Sequence, residues 1–234
     1  MKNALVIPVR IDSSRLPRKA LLEIEGKTLI QRVVDQCKKT NLPTYVVTDS
    51  EEIEQSLDPT NIKIILQKKS AESGTERISN AIQNIEGDYI INVQGDQPFI
   101  EPESIIEMND FIIKNSHHMV VTPIKLFSEK YEDPSKCKVI TDLFGRAIYF
   151  SRSPIPYNAK ESYGHLGVYG YQRKVLENYK KLKTSPLEKV EKLEQLRFID
   201  NGIPIQTYKT NYSIFSIDTQ VDLIDAIEYA RKLI

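Results

Sequence analysis

Four cations fall within ten residues in the segment Pro8-Val-Arg-Ile-Asp-Ser-Ser-Arg-Leu-Pro-Arg-Lys19: Arg10, Arg15, Arg18 and Lys19. Ser13 and Ser14 lie among them, directly after a short apolar run. Arginine forks bind two oxygens at once and lysine supplies a movable point charge, which suits a triphosphate. The segment has no Gly-rich Walker pattern, so side chains would do much of the cradling. The plain alternative is a solvated basic loop with a turn at Leu16-Pro17.

Two carboxylates stand where such a site would need them. Asn92-Val-Gln-Gly-Asp-Gln-Pro98 ends an apolar run at Asp96, and Ser213-Ile-Phe-Ser-Ile-Asp218 ends another at Asp218. Mg²⁺ bound to nucleotide phosphates takes only one or two protein carboxylates, so Asp96 and Asp218 are candidate ligands for one ion. Asp96 could instead brace a turn, although Pro102 marks the next helix start and leaves Asp96 without a capping task. Asp218 could cap the last helix, but Thr219 with Asp222 three residues on can form an acidic capping box and free it.

Ser73-Gly-Thr-Glu-Arg77 precedes a helical pattern. Ser73 or Thr75 could cap that helix and nothing more, or its free N–H groups could meet an anion or a base edge. Gly74 would permit close backbone approach. Arg152 could pair with a substrate carboxylate, or lie at the surface; His165, Tyr169 and Tyr171 belong to a strand whose role spacing alone leaves open. Glu188, Glu191 and Glu194 fall on what reads as the solvated face of an amphipathic helix, as ion-pair partners for Lys or Arg.

Apolar runs alternate with segments of helical period through about residue 115. The pattern predicts strands at 4–8, 45–48, 62–66 and 89–94, and helices at 29–37, from Glu51, at 76–85 and at 103–113. Such alternation implies an α/β fold with a parallel sheet covered on both faces, whose ligands sit beyond the carboxyl ends of the strands. Beyond residue 118 the pattern predicts strands at 119–126 and 138–141, a hairpin through Asp142-Leu-Phe-Gly145 to 146–150, and a strand at 166–171. Helices at 173–182 and 186–200, strands at 203–209 and 213–217, and a helix at 219–233 complete it. The second half is expected to pack onto the first sheet or form a β-rich lobe beside it.

Taken together these segments resemble the 3-deoxy-manno-octulosonate (Kdo) cytidylyltransferases over nearly the whole chain. The resemblance rests on nine segments in order. They are Ile7-Pro-Val-Arg10 with Ser14-Arg15 and Lys19, Thr48-Asp49, Ser73-Gly-Thr-Glu-Arg77 and Asn92-Val-Gln-Gly-Asp96. Tyr149-Phe-Ser-Arg152 with Pro154-Ile-Pro156, His165-Leu-Gly-Val-Tyr-Gly-Tyr171, Pro186-Leu-Glu188, Leu193-Glu-Gln-Leu-Arg197 and Asp218-Thr219 follow. It implies a nucleotide-diphospho-sugar transferase fold: a Rossmann-like, mostly parallel sheet with helices on both faces, plus a smaller β-rich dimerisation portion. One domain, 1–234, would hold a nucleotide-binding half (1–118) and a sugar-binding and dimerisation half (119–234).

The implied reaction joins CTP and Kdo, with Mg²⁺, to give CMP-Kdo and pyrophosphate for lipopolysaccharide or related surface glycans. Arg10, Ser14, Arg15, Lys19, Ser73, Gly74, Thr75, Arg77 and Gln94 would bind CTP. Asp96 and Asp218 would take the metal and, with Arg10 and Lys19, serve catalysis. Arg152, His165, Tyr169, Glu194 and Gln195 would line the sugar pocket, so the resemblance moves Glu194 from solvated face to substrate contact. Three positions depart from the family pattern: Gln97 replaces a Glu after Asp96, Arg18 replaces a Gly before Lys19, and Gly164 stands where an Arg often precedes the His. They keep open a related acid sugar (amino-Kdo or sialic-acid-like) and, further off, a non-catalytic nucleotide-binding relative.

Composition narrows the rest. Lys plus Arg and Asp plus Glu each number 32 among 234 residues, so net charge points to neither nucleic acid nor membrane. Cys37 and Cys137 have no metal-ligand spacing and fit a reducing, cytoplasmic setting. No apolar stretch approaches the roughly 20 residues needed to span a bilayer.

Overall fold

The computed structural model describes residues 1–13, 15–127 and 132–232. Its elements in chain order are β1 (Asn3–Val9), β2 (Glu23–Ile24), β3 (Lys27–Thr28), α1 (Leu29–Lys38), β4 (Thr44–Thr48), α2 (Glu51–Gln55), β5 (Ile62–Leu66), α3 (Gly74–Ala81), β6 (Tyr89–Asn92) and α4 (Pro102–Lys114). The second half supplies β7 (Val120–Phe127), β8 (Lys138–Thr141), β9 (Ala147–Ser151), β10 (Ser162–His165), β11 (Tyr169–Gln172), α5 (Arg173–Asn178), α6 (Pro186–Glu191), α7 (Leu196–Asp200), β12 (Ile205–Lys209) and α8 (Gln220–Lys232).

Ten of these strands form one sheet in the order β5-β4-β1-β6-β11-β7-β10-β8-β9, with β12 also paired to β7. The second half therefore extends the first half's sheet. β1, β4, β5 and β6 are parallel, β7, β8 and β12 run the same way, and β9, β10 and β11 run against them. β1 explains the two-faced core. Leu5, Ile7 and Val9 enter a cluster with Val33 and Val34 of α1, Met108 of α4 and Ala226 of α8. Ala4 and Val6 enter the opposite cluster with Ile78 of α3, Leu176 of α5 and Phe198 of α7. A strand buried on both faces reads as a continuous apolar run, as residues 4–7 do.

From β1 the chain builds outward to β4 and β5, then returns to add β6 on the other side. The strand order reverses between β1 and β6, and the loops after both strands open a crevice there. One carries the cation-rich segment and the other carries Asp96.

Three expected elements differ. The strand expected at 166–171 begins only at Tyr169, as β11; Leu166 to Val168, with Gly167 at φ 76°, connect it to β10, which the pattern did not predict. A residue with φ in that region interrupts a ladder, and glycine adopts it without the Cβ penalty. The single helix at 186–200 is α6 and α7, separated where Lys192 turns left-handed at φ 55°. Residues 213–217 form no strand, although Ile214, Phe215 and Ile217 pack into the core. No helix among the described residues is long and apolar enough to cross a membrane.

Candidate active site

The crevice holds two adjoining cavities. The first, about 250 Å³, is lined by Arg10, Arg15, Lys19, Ser73, Gly74, Arg77, Gln94, Asp96 and Asp218, with Asp12, Ser13 and Glu72 beside them. The second, about 890 Å³, is lined by Arg152, His165, Tyr169, Glu194 and Gln195, with Lys125, Phe127, Lys136, Cys137 and Gln97. Arg15, Gly74, Gln94, Asp96 and Asp218 border both.

Lys19 fixes the junction. Its ammonium donates to Asp96 Oδ2 at 2.8 Å, to Asp218 Oδ1 at 3.1 Å and to the Ile217 carbonyl at 2.7 Å. Arg15 adds a second cation on Asp218 Oδ1 at 2.9 Å. The last segment reaches this place because the Ile217 N–H donates to the Asp96 carbonyl at 3.0 Å. Asp218 is free for this work: Thr219 and Asp222 form the reciprocal cap of α8, and the Asp218 N–H also donates to Asp222. Two carboxylates meeting on one cation are a donor set that suits a divalent ion.

Behind the first cavity, Asp49 ties the basic loop to α3. One oxygen accepts the Ile11 N–H at 3.2 Å and the other accepts the Arg77 guanidinium at 2.7 Å. Arg77 is only 4% exposed, and its other terminal nitrogen, Nη1, is buried without a hydrogen-bond partner among the described residues. Sequence reading noted Asp49 as part of a motif and gave it no role; its function shows only once α3 is placed against β4.

Arg18 faces away from this cavity. Its backbone is left-handed at φ 54°, and its guanidinium pairs with Glu52 of α2. The expected extra cation beside the phosphates is therefore absent, and the glycine of the family pattern is explained by the backbone conformation. Thr75 also departs from expectation. It is fully buried and lines neither cavity; its hydroxyl donates to Glu194 Oε1 at 2.8 Å. Ser73 is the N-cap of α3, accepting from the Glu76 N–H at 3.2 Å, and still lines the first cavity. Ser14 lies outside the described residues.

In the second cavity burial sets the chemistry. Desolvation lowers His165 to about 3, so its imidazole is neutral, and its Nε2 accepts the Gly167 N–H at 3.3 Å. Desolvation raises the Glu194 carboxyl, against the lowering effect of hydrogen bonds from Ser73 and Thr75. Glu194 Oε2 and the Tyr169 hydroxyl are buried without hydrogen-bond partners among the described residues. Arg152 is held by the Glu191 carbonyl at 3.0 Å and the Pro134 carbonyl at 3.1 Å, while Gln195 donates to Cys137 Sγ at 3.5 Å. Burial pushes that thiol up to about 12.

Of the three glutamates read as a solvated, ion-paired face, Glu188 does form its ion pair, but none of the three lies fully in solvent. Glu188 binds Arg197 through both oxygens at 2.8 Å. Glu191 accepts from the Ser151 hydroxyl and the Arg152 N–H. The break at Lys192 rotates Glu194 into the second cavity. Lys125, Phe127 and Lys136 were missed altogether, since nothing in a strand or loop pattern marks which side faces a ligand.

Comparison with known proteins places these features. The sequence profile of the cytidylyltransferases matches residues 4–232. A 3-deoxy-manno-octulosonate cytidylyltransferase of Rickettsia prowazekii is 44% identical over 242 aligned positions, covering 100% of this chain and 98% of its own. That of Rickettsia bellii is 43% identical, covering 98% and 96%. The chain belongs to the 3-deoxy-manno-octulosonate cytidylyltransferase family. A solved CMP:2-keto-3-deoxy-manno-octonic acid synthetase, complexed with CTP, superposes with TM-score 0.94 at 34% identity over 100% of both chains. An apo UDP-glucose pyrophosphorylase shares the fold alone, at TM-score 0.74 and 17% identity over 100% of both chains.

Proposed function

We propose that this cytidylyltransferase joins CTP to Kdo, releasing pyrophosphate and CMP-Kdo for surface-glycan synthesis. The observation that carries the reading is the meeting of a cation-lined cavity and a larger mixed-charge cavity at Asp96 and Asp218. A nucleotide in the first and an acid sugar in the second would bring α-phosphorus and anomeric hydroxyl together at that border. Positioning of this kind supplies much of the rate in in-line displacement at phosphorus.

Arg10, Arg15 and Lys19 hold the triphosphate and stabilise charge on the departing pyrophosphate. Arg77, fixed by Asp49, keeps a buried cation at the α3 end of the same cavity, and Ser73, Gly74 and Gln94 complete the nucleotide wall. Arg152 and Lys136 supply the positive charge an acid sugar's carboxylate requires. Glu194 Oε2 and the Tyr169 hydroxyl offer buried polar atoms that sugar hydroxyls can satisfy. His165, neutral under ordinary conditions, orients hydroxyls by hydrogen bonding and carries no charge to the site.

Asp96 and Asp218 would hold Mg²⁺. A bound Mg²⁺ supplies charge neutralisation on the phosphates and acidifies the attacking hydroxyl. Lys19 balances the two carboxylates, which would otherwise repel each other across the junction. Leu143 and Phe144, fully and largely exposed at the β8–β9 hairpin, support assembly as a homodimer.

Pyrophosphate release measured with each of the four nucleoside triphosphates, against Kdo, amino-Kdo and a sialic acid, tests the reading. It predicts turnover with CTP and Kdo well above every other pair. Preference for UTP, or for another acid sugar, would overturn the assignment.

A further inference from the structure

Thr75 stands between the two cavities without touching either. It belongs to α3, whose first residues, Ser73 and Gly74, and next-turn Arg77 line the first cavity. Its hydroxyl donates to Glu194 Oε1 at 2.8 Å, and Glu194 lines the second cavity. A threonine hydroxyl carries one proton, and here it is given to Glu194. The Tyr171 hydroxyl, 3.2 Å from Thr75 Oγ1, then has to donate into the threonine lone pair. The result is a directed chain from Tyr171 through Thr75 to Glu194, enclosed by protein: Thr75 and Tyr171 are both fully buried.

Thr75 satisfies Oε1, while Oε2 is buried without a hydrogen-bond partner among the described residues, and the Ser73 hydroxyl also acts on this carboxyl. A carboxylate held through Oε1 by a rigid helix presents Oε2 in one orientation. Released from Thr75, it would keep its burial and lose its fixed direction. Leu193 and Gln195 flank it in the connection between α6 and α7, where the Glu194 carbonyl accepts the Arg197 N–H at 3.1 Å, so its backbone is tied and Thr75 directs its side chain. Hydrogen bonds made inside a buried cluster are stronger than exposed ones, and their loss costs more.

We propose that Thr75 is a positioning residue for the acid-sugar cavity: it transmits the placement of the nucleotide-binding end of α3 to Glu194, coupling recognition of the two substrates. This rests on the functional reading above. It also moves Thr75 from the nucleotide's binding set, where the sequence put it, to the sugar's.

The test compares Thr75→Val, which keeps the side-chain shape and removes the hydroxyl, with Thr75→Ser, which keeps the hydroxyl. Initial rates of pyrophosphate release with CTP, Mg²⁺ and Kdo give KM for each substrate. The valine variant is expected to raise the Kdo KM about tenfold, the loss typical of a hydrogen bond to a charged group, and to leave the CTP KM within about twofold. Wild type is expected to show a Kdo KM that falls as CTP rises, and the valine variant to lose that dependence. Serine is expected to restore both. Tyr171→Phe, which removes only the far link, should move the Kdo KM in the same direction by about two- to threefold and serves if the valine variant fails to fold.

An unchanged Kdo KM in the valine variant, or an equal rise in both KM values that serine does not repair, would overturn the proposal. Normal wild-type turnover with an unaffected valine variant would remove this inference alone. No wild-type turnover with any acid sugar would remove the functional reading and this one with it.

Discussion

Asp96 and Asp218, from opposite halves of the chain, grip the same Lys19 ammonium at 2.8 and 3.1 Å. That shared contact joins the loop after β6, the segment before α8 and the basic loop after β1 into one junction. Replacing Asp96 or Asp218 by Asn keeps shape and removes charge. Each change is expected to lower kcat for pyrophosphate release by about 10²- to 10³-fold. Thermal melting should move by only a few degrees. Activity within threefold of wild type would remove the carboxylates from the chemistry.

Much of this junction was legible in the sequence, because a carboxylate at the end of an apolar strand has few structural tasks. The path by which Asp218 arrives was not. Phe215 and Ile217 alternate with Ser216 as a strand would, yet among the described residues they find no ladder partner, and the Ile217 backbone bonds to Asp96 and Lys19 instead. Periodicity reports which side chains are buried and is silent on what the backbone pairs with. The same limit hid Glu194: helical spacing runs smoothly across Lys192, with no Gly or Pro to mark the left-handed break.

Arg77 and Asp49 illustrate a contact that no motif reading could weigh. The Arg77 side chain is 5% exposed, and Asp49 is its only charged partner among the described residues. Asp49→Asn is expected to destabilise the fold by about 2 kcal/mol, since a buried guanidinium is left without its counter-charge. It should also raise the CTP KM, because the Ile11 anchor weakens. Urea melts and initial rates check both; unchanged stability would show that Arg77 finds charge compensation elsewhere.

Gly164 departs from the family pattern for a steric reason. A Cβ there would collide with the Phe127 ring, which lines the second cavity. Gly164→Ala is expected to displace that ring and change kcat/KM for the acid sugar, with the CTP KM unaffected. Equal effects on both substrates would point to general loosening.

His165 makes stability depend on pH. Its folded value, about 3, lies below the ordinary value of about 6.5 expected in the unfolded chain. Above 6.5 both states are neutral and the group contributes no pH dependence. As pH falls from 6.5 towards 3, the unfolded chain takes up a proton that the folded chain refuses, so stability is lost. The loss is about 2 kcal/mol at pH 5. Urea unfolding at pH 7 and pH 5 should show a smaller drop in His165→Asn than in wild type; an identical drop would mean the imidazole is free to charge in the folded state.

The central claim is that the border between the two cavities is where CMP passes from CTP to an acid sugar. Identification of products by ³¹P NMR, after incubation with CTP, Kdo and Mg²⁺, tests it most directly. The account predicts equal amounts of CMP-Kdo and pyrophosphate, formed only when all three are present and far more slowly with Asp96→Asn. CMP or pyrophosphate released without sugar, or no CMP-Kdo at all, would contradict it.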